Sequence, residues 1–524
     1  MKSRHEEAFR SFRVTRRGRT WIAEGATDAA FGTPVVVPGQ ERQGGVYAWW
    51  RWGGEALDAE VDPLGFYPLF YCHRDDMLIL SNSTIQAIAD GASSEPDREA
   101  LSVFFRLGWF VGEHTPFKKI KVLPPGGRLH WHDGELTVTD RRWSAGHFDG
   151  PREQAVSHAI DLTEDAIVNC GKQAKSPITV PLSGGRDSRH ILFALHKNGI
   201  PVRDCVTLNY SRDGEDAECA AARGVAGRLN VAHRVVPIHR RLSREHITTR
   251  LLTHLCADEC QNVIALRYHA RQFQSVLFDG IGGDILSRNR SGSRAGFEGL
   301  ARAHRWDEAV DDLYEGIERL TGQRQWVEAL AGESLPDIDE GKHLVFEALR
   351  DKAAYPCPGS AFLFWERTRR EIALIPASLW ATAPQVMCPF LDPRLVAFWL
   401  SVPPEYTDLQ PIHDEMIRRA YPAHHDLPFA EDFADRDSSR RRRLVRGGLR
   451  AITRSIDGIS ACSINSTAEM IRELRIQYHF RRHRVPYTAW CWRYWFLLAG
   501  TVETTNDLGS MIHRILEWDA RANS

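Results

Sequence analysis

The chain has 524 residues, with 67 Lys and Arg against 68 Asp and Glu, for a formal net charge of −1. That balance excludes the electrostatic footprint of a dedicated nucleic-acid binder. Hydrophobic residues at 43% and charged residues at 26% exclude disorder, collagen and coiled coil as overall descriptions, and the length leaves room for about two to four domains.

From the N-terminus to about residue 148, short apolar runs alternate with Gly, Pro and Asp turns. They are Pro34 to Val37, Gly45 to Trp50, Gly65 to Cys72, Met77 to Leu80, and Arg128 to Trp131 before Asp133-Gly134. This is the texture of a β-rich region, with one helix predicted over Asp97 to Arg106 behind an acidic cap. The texture changes near Gly150. Residues 152–172 carry an amphipathic helical pattern. Next come a strand at Ile178 to Leu182, a glycine turn, a helix from Ser188 to Lys197 and a strand at Val202 to Leu208. A helix at Asp216 to Leu229, a strand at His233 to Ile238 and a short strand at Ser275 to Asp279 follow. Such alternation predicts a parallel sheet covered by helices. From about residue 300 the pattern is mostly helical, with indole-rich segments around Trp365 and Trp490 to Trp495.

No stretch approaches the roughly 20 apolar residues of a membrane span. The segment Met1 to Glu7 has no apolar core and does not read as a signal peptide. The ten cysteines are scattered without a CxxC pair, as expected for free thiols of a cytoplasmic protein. His254, Cys256 and Cys260 are close enough to suggest metal ligands, but without a second ligand pair the spacing favours a packed helix face. Arg440 to Arg443 reads as a solvated loop or an anion-binding segment. No lysine follows Lys352.

The most informative segment is Pro181-Leu182-Ser183-Gly184-Gly185-Arg186-Asp187-Ser188, between a predicted strand and a predicted helix. Two glycines let backbone N–H groups approach an anion. The helix that follows directs its N-terminal dipole at the same spot. Ser183 and Ser188 add hydroxyl donors. Asp187 would repel a bare phosphate, so it implies a bridging cation, Mg²⁺. Phe278-Asp279-Gly280-Ile281-Gly282-Gly283-Asp284 repeats the design after a second strand. Two such loops at the carboxyl ends of parallel strands would flank one crevice, where Asp187 and Asp284 could share the metal of one Mg–ATP.

The first loop resembles the pyrophosphate loop of ATP pyrophosphatases. Both loops, with Pro389-Phe390-Leu391-Asp392 and Arg394-Leu395-Val396, resemble the synthetase domain of the asparagine synthetase family. Asp62 to Tyr71, Ser81 to Ile88, Thr115-Pro116-Phe117 and Leu123-Pro124-Pro125-Gly126 resemble segments of that family's glutaminase domain. The resemblance implies an α/β fold. A degenerate glutaminase-like α+β domain (1–148) precedes a parallel-sheet ATP-pyrophosphatase domain with a helical C-terminal part (149–524). It also implies that Leu182, Ser183, Gly184, Gly185, Asp187, Ser188, Leu208, Gly280 and Gly282 contact ATP, and that Asp187 and Asp284 hold Mg²⁺.

Two features depart from that family. Its glutaminase needs an N-terminal cysteine whose thiolate attacks glutamine. Here position 2 is Lys2, and the first cysteine is Cys72 in a predicted strand. Relatives without that cysteine, such as β-lactam synthetase and lasso-peptide macrocyclases, adenylate a carboxylate for attack by an amine. The family's late lysine is also missing, so Arg436 or Arg440 is expected to meet the pyrophosphate. A general base is sought in Glu366 or Glu371, whose other reading is a solvated or salt-bridged helix. The expected function is an ATP-dependent, AMP-forming amide ligase in specialised metabolite or peptide biosynthesis. Its partners would be a small-molecule or peptide carboxylate and an amine, with no nucleic acid and no membrane. A homodimer and partner enzymes of a biosynthetic route are compatible with that reading. The alternatives are an amidotransferase using ammonia or a separate glutaminase on a carboxylate such as a sugar acid, and a non-catalytic nucleotide-binding relative.

Overall fold

A computed structural model describes residues 9–436, except 142, 210, 212–214, 238–251, 255, 258–262, 264–265, 268, 270–271, 273, 288–294, 322–338 and 409–411; for 318–321, 408 and 434–436 only the backbone is described. Strands β1 (Ser11–Arg17), β2 (Thr20–Gly25), β3 (Asp28–Val35), β4 (Gly44–Trp52), β5 (Ala56–Val61), β6 (Phe70–Arg74), β7 (Met77–Ser81), β8 (Lys121–Val122), β9 (Arg128–His132) and β10 (Glu135–Thr139) come first. They form two antiparallel sheets, ordered β2-β1-β7-β6-β8 and β10-β9-β5-β4-β3. Alternation fixes their faces. Phe12 and Val14 of β1 are fully buried, as are Trp50 of β4 and Leu57 of β5. The Asp133-Gly134 turn joins β9 to β10 with φ of 45° and 93°, the left-handed pair that a tight hairpin requires.

The predicted helix at Asp97 is α2 (Arg98–Leu107), preceded by the short helix α1 (Thr84–Ala89). The Asp97 carboxylate caps α2 by accepting from Ala100 N at 3.1 Å, and Gly108 ends it with φ 88°. The run Gly65 to Cys72, expected as one strand, is extended only from Phe70. Upstream, the buried Asp62 carboxylate gathers the N–H groups of Leu64, Phe66 and Tyr67 at 3.1, 3.1 and 2.8 Å. These side-chain bonds replace a ladder with a turn. Gly65 holds φ 65°, and a Cβ there would meet Pro125 Cα at 2.8 Å, so the Asp62 and Leu123 segments lock against each other. Strands β1, β2 and β5 were not anticipated from the sequence, because polar residues separate their apolar positions.

The second half is a parallel sheet. Its strands are β11 (Ile178–Pro181), β12 (Val202–Asn209), β13 (His233–Pro237), β14 (Val276–Phe278) and β15 (Val386–Met387), ordered β13-β12-β11-β14-β15. All four neighbouring pairs run parallel. Helices α3 (Arg152–Gln173), α4 (Asp187–Lys197) and α5 (Ala217–Arg228) lie where the periodicity places them. Because β11 and β14 are neighbours, the loops leaving them emerge side by side. The later part is helical as expected, and it includes two π-helical runs, Leu363–Ile372 and Ile375–Leu379.

That first run joins the antiparallel sheets to the parallel one. Arg369 Nη2 and Arg370 Nη1 donate to Gly112 O at 2.8 and 2.6 Å, and Arg370 Nη2 donates to His114 O at 2.5 Å. Residues of all three sheets share one apolar core. His254 and Cys256 are buried but do not form a helix face. His254 has φ 57° and sits in a turn, and Cys260 lies outside the described residues. Among the described residues no helix is long and apolar enough to cross a membrane.

Candidate active site

The first loop leaves β11 tied to β12: Leu182 N donates to Val206 O at 2.9 Å, and Thr207 Oγ1 to Leu182 O at 2.6 Å. Leu182 and Leu208 are both buried at these strand ends. Ser188 Oγ accepts from Ser183 N at 3.0 Å and lies 3.1 Å from Ser183 Oγ, which accepts from Gly185 N at 3.1 Å. Gly184 N donates to the Glu218 carboxylate at the start of α5. Successive loop amides thus converge on oxygen acceptors, one of them anionic. Gly184 is sterically required, since a Cβ there would meet Ala430 Cβ at 2.4 Å.

The second loop closes directly on the first. A Cβ on Gly280 would lie 2.8 Å from Asp187 Cβ, and one on Gly283 would lie 2.5 Å from Asp187 Oδ1. Gly282 has φ 87°, and a Cβ there would meet Leu391 Cδ2 at 2.9 Å. The segment Pro389–Leu391 therefore backs the second loop. Asp279 N donates to Met387 O at 2.8 Å, holding the loop to β15. Desolvation pushes the Asp279 carboxyl up to about 7.

Asp187 begins α4. His413 Nδ1 is 3.3 Å from Asp187 Oδ1 and 3.3 Å from Ser287 Oγ, and His413 Nε2 is 3.1 Å from His190 Nδ1. Both imidazoles are buried. Burial depresses His190 far below the ordinary histidine value and takes His413 down to about 4, so both are neutral near pH 7. This line from the half-buried Asp187 to two buried histidines was missed. Histidines far apart in sequence gave no spacing signal. Asp187 and Asp284 come from adjoining loops and offer the hard oxygens that Mg²⁺ prefers, so the residues present fit that ion once phosphate oxygens complete its shell. Among the described residues no cluster of three acidic, His or Cys side chains could hold a metal unaided.

Other predicted residues lie elsewhere. Glu366 is buried in the joint between the sheets. It accepts from Gly112 N at 2.7 Å and lies 3.5 Å from Lys352 Nζ. Glu371, also buried, is 3.3 Å from Arg367 Nε. Both have the salt-bridged alternative as their observed surroundings. Asp392 caps the helix Pro393–Ser401 through Arg394 N at 2.9 Å, and Arg394 bridges to Asp165 at 2.7 Å. Arg436 ends a 3-10 turn, Ala430–Arg436; its side chain and all of Arg440 to Arg443 lie outside the described residues, as do Trp490 to Trp495. Cys72 is fully buried in β6, and burial raises its thiol pKa, the opposite of an activated nucleophile.

No curated protein matches the sequence. One similar solved structure is titled as the allosteric regulatory enzyme of purine biosynthesis. It shows 11% identity over 37% of this chain and 47% of that chain, with a TM-score of 0.14, too poor a superposition to carry an argument; this chain thus spans less than half of that protein's length. Residues 39–143 match a glutamine amidotransferase domain and residues 159–349 match asparagine synthase. The chain therefore carries a glutamine amidotransferase-like domain followed by an asparagine synthase-like domain, the order expected of an asparagine synthetase-family protein.

Proposed function

We propose that the protein adenylates a substrate carboxylate and passes the acyl group to an amine, releasing pyrophosphate and then AMP. The observation that carries this reading is the interlock of two glycine loops around Asp187, at the carboxyl ends of β11 and β14. A carboxylate oxygen bonds to the α-phosphorus as the bond to the pyrophosphate oxygen breaks. The amine nitrogen then bonds to the acyl carbon as the bond to AMP breaks, and the amine proton leaves to a base or water. Ser183, Gly184, Gly185 and Ser188 would hold the pyrophosphate through N–H and O–H donors, with Leu182 and Leu208 against the nucleoside. Asp187 and Asp284 would hold Mg²⁺, which supplies charge neutralisation on the leaving group. His413 would orient the Asp187 carboxylate from behind.

The buried Cys72 supports an amine that comes from a substrate rather than from glutamine hydrolysis in the first domain. We read the enzyme as a specialised ligase that makes β-lactam-like or lasso-peptide-like amides in the cytoplasm. Pyrophosphate exchange tests it: labelled pyrophosphate should enter ATP only when the cognate carboxylate is present. Production of ADP and phosphate would overturn it.

A further inference from the structure

Two arginines lie inside the first loop and its helix, Arg186 and Arg189. Arg189 is 1% exposed. Its Nη1 and Nη2 donate to Leu427 O and Pro428 O at 2.8 and 2.7 Å. Its guanidinium carbon lies 4.0 Å from the centre of the Phe429 ring, and that of Arg186 lies 4.5 Å from the same ring. Arg186 also pairs with Asp414 and, at 2.9 Å, with Glu431. The next residue, Ala430, donates its N–H to Gly184 O at 3.2 Å. The peptide 427–431 is thus strapped over the first loop, and its Ala430 is what forbids a Cβ at Gly184.

The two arginines differ in kind. Arg186 is neutralised by two carboxylates. Arg189 has no carboxylate among its hydrogen-bond partners: its contacts are carbonyls and a ring, and its Nε has no partner among the described residues. Burial lowers its pKa to about 10, which still leaves it charged at neutral pH. A buried cation is costly unless an interaction requires it. Forked donation to two consecutive carbonyls with a stacked ring sets a register that a lysine's single ammonium cannot reproduce. A cation in direct contact with phosphate would need an open approach, which this packing does not give. A positioning role fits the contacts.

We propose that Arg189, with Arg186, is a positioning residue of the phosphate loop: it fixes the strap at Leu427–Glu431 onto Gly184 and thereby sets the loop shape that receives the pyrophosphate part of the nucleotide. This rests on the ATP reading above. The test compares binding of α,β-methylene-ATP with Mg²⁺ and binding of AMP, by calorimetry, on the full chain. Arg189→Met should weaken the triphosphate analogue at least tenfold and leave AMP within about twofold, because only the pyrophosphate part meets the strapped loop. Arg189→Lys should recover little of the loss. Equal affinity of Arg189→Met and wild type for the analogue would overturn the proposal, and so would equal loss of both ligands, the mark of a general structural role. If Arg189→Met does not fold, Phe429→Leu carries the same comparison with the same two outcomes. Failure of the wild type to bind the analogue at all would instead overturn the ATP reading itself.

Discussion

At Gly283 one methyl group separates a formed site from a broken one. The Cβ of Gly283→Ala would fall 2.5 Å from Asp187 Oδ1, far inside contact distance, so either the loop or the carboxylate must move. Ligase turnover in that variant should drop by at least ~10²-fold, since displacements near 1 Å at a reacting centre have that effect. Gly224→Ala is the matched control. Nothing lies within 4 Å of its Cβ in α5, and the helix should gain about 0.5–1 kcal/mol, read as a small rise in Tm with unchanged turnover. His254 gives a pH prediction at the same scale. It is enclosed by Phe9 and Phe70, and burial takes its pKa down to about 3. The unfolded chain binds a proton near pH 6.5 and the native one does not, so this contribution to stability is complete above pH 6.5 and is lost as pH falls toward 3. At pH 5 the loss is about 2 kcal/mol. Denaturant melts at pH 5 and pH 7.5 should show a pH dependence smaller by that amount in His254→Phe than in the wild type, the remainder coming from the other buried histidines; an equal pH dependence in both would count against it.

Among the elements, the π-helical run Leu363–Ile372 deserves the next test, because it packs Glu366, Arg369, Arg370 and Glu371 into the joint between the sheets. Glu366→Ala would leave the Gly112 amide without its acceptor and Lys352 with Asp351 alone, a loss of about 1–3 kcal/mol for the unsatisfied buried amide. Glu366→Gln keeps an oxygen for Gly112 and should cost less, with turnover near that of the wild type. A stable Glu366→Gln with turnover lowered by ~10²-fold or more would restore the general-base role. This element also shows where the sequence was legible and where it was not. Strong periodicity placed α3, α4 and α5 and the parallel strands β11 to β14, and glycines placed both glycine loops, since each signal is local; the two-residue β15 gave no such signal. Glu366 could be seen as an acid on a helix, but its partners Gly112 and Lys352 lie 254 and 14 residues away. Burial with such partners is decided by packing, not by spacing. His190 with His413, and Arg189 with Leu427, were hidden for the same reason.

For the whole molecule, the order of the parallel sheet makes one site from two distant segments. β11 and β14 are neighbours although about a hundred residues separate them, so Asp187 meets Gly280 and Gly283 only once the sheet has closed. The first half contributes the Gly112 turn of the joint and the buried Cys72, and both glycine loops lie in the parallel half. The near-zero net charge that excluded a nucleic-acid binder suits a small-molecule or peptide substrate. The most direct test of this account is the fate of ATP. A panel of amino-acid, peptide and sugar-acid carboxylates should be offered to the purified protein with ATP, Mg²⁺ and labelled pyrophosphate. The account predicts label entering ATP in the active fraction and AMP accumulating once the amine is added; ADP and phosphate as the products would contradict it.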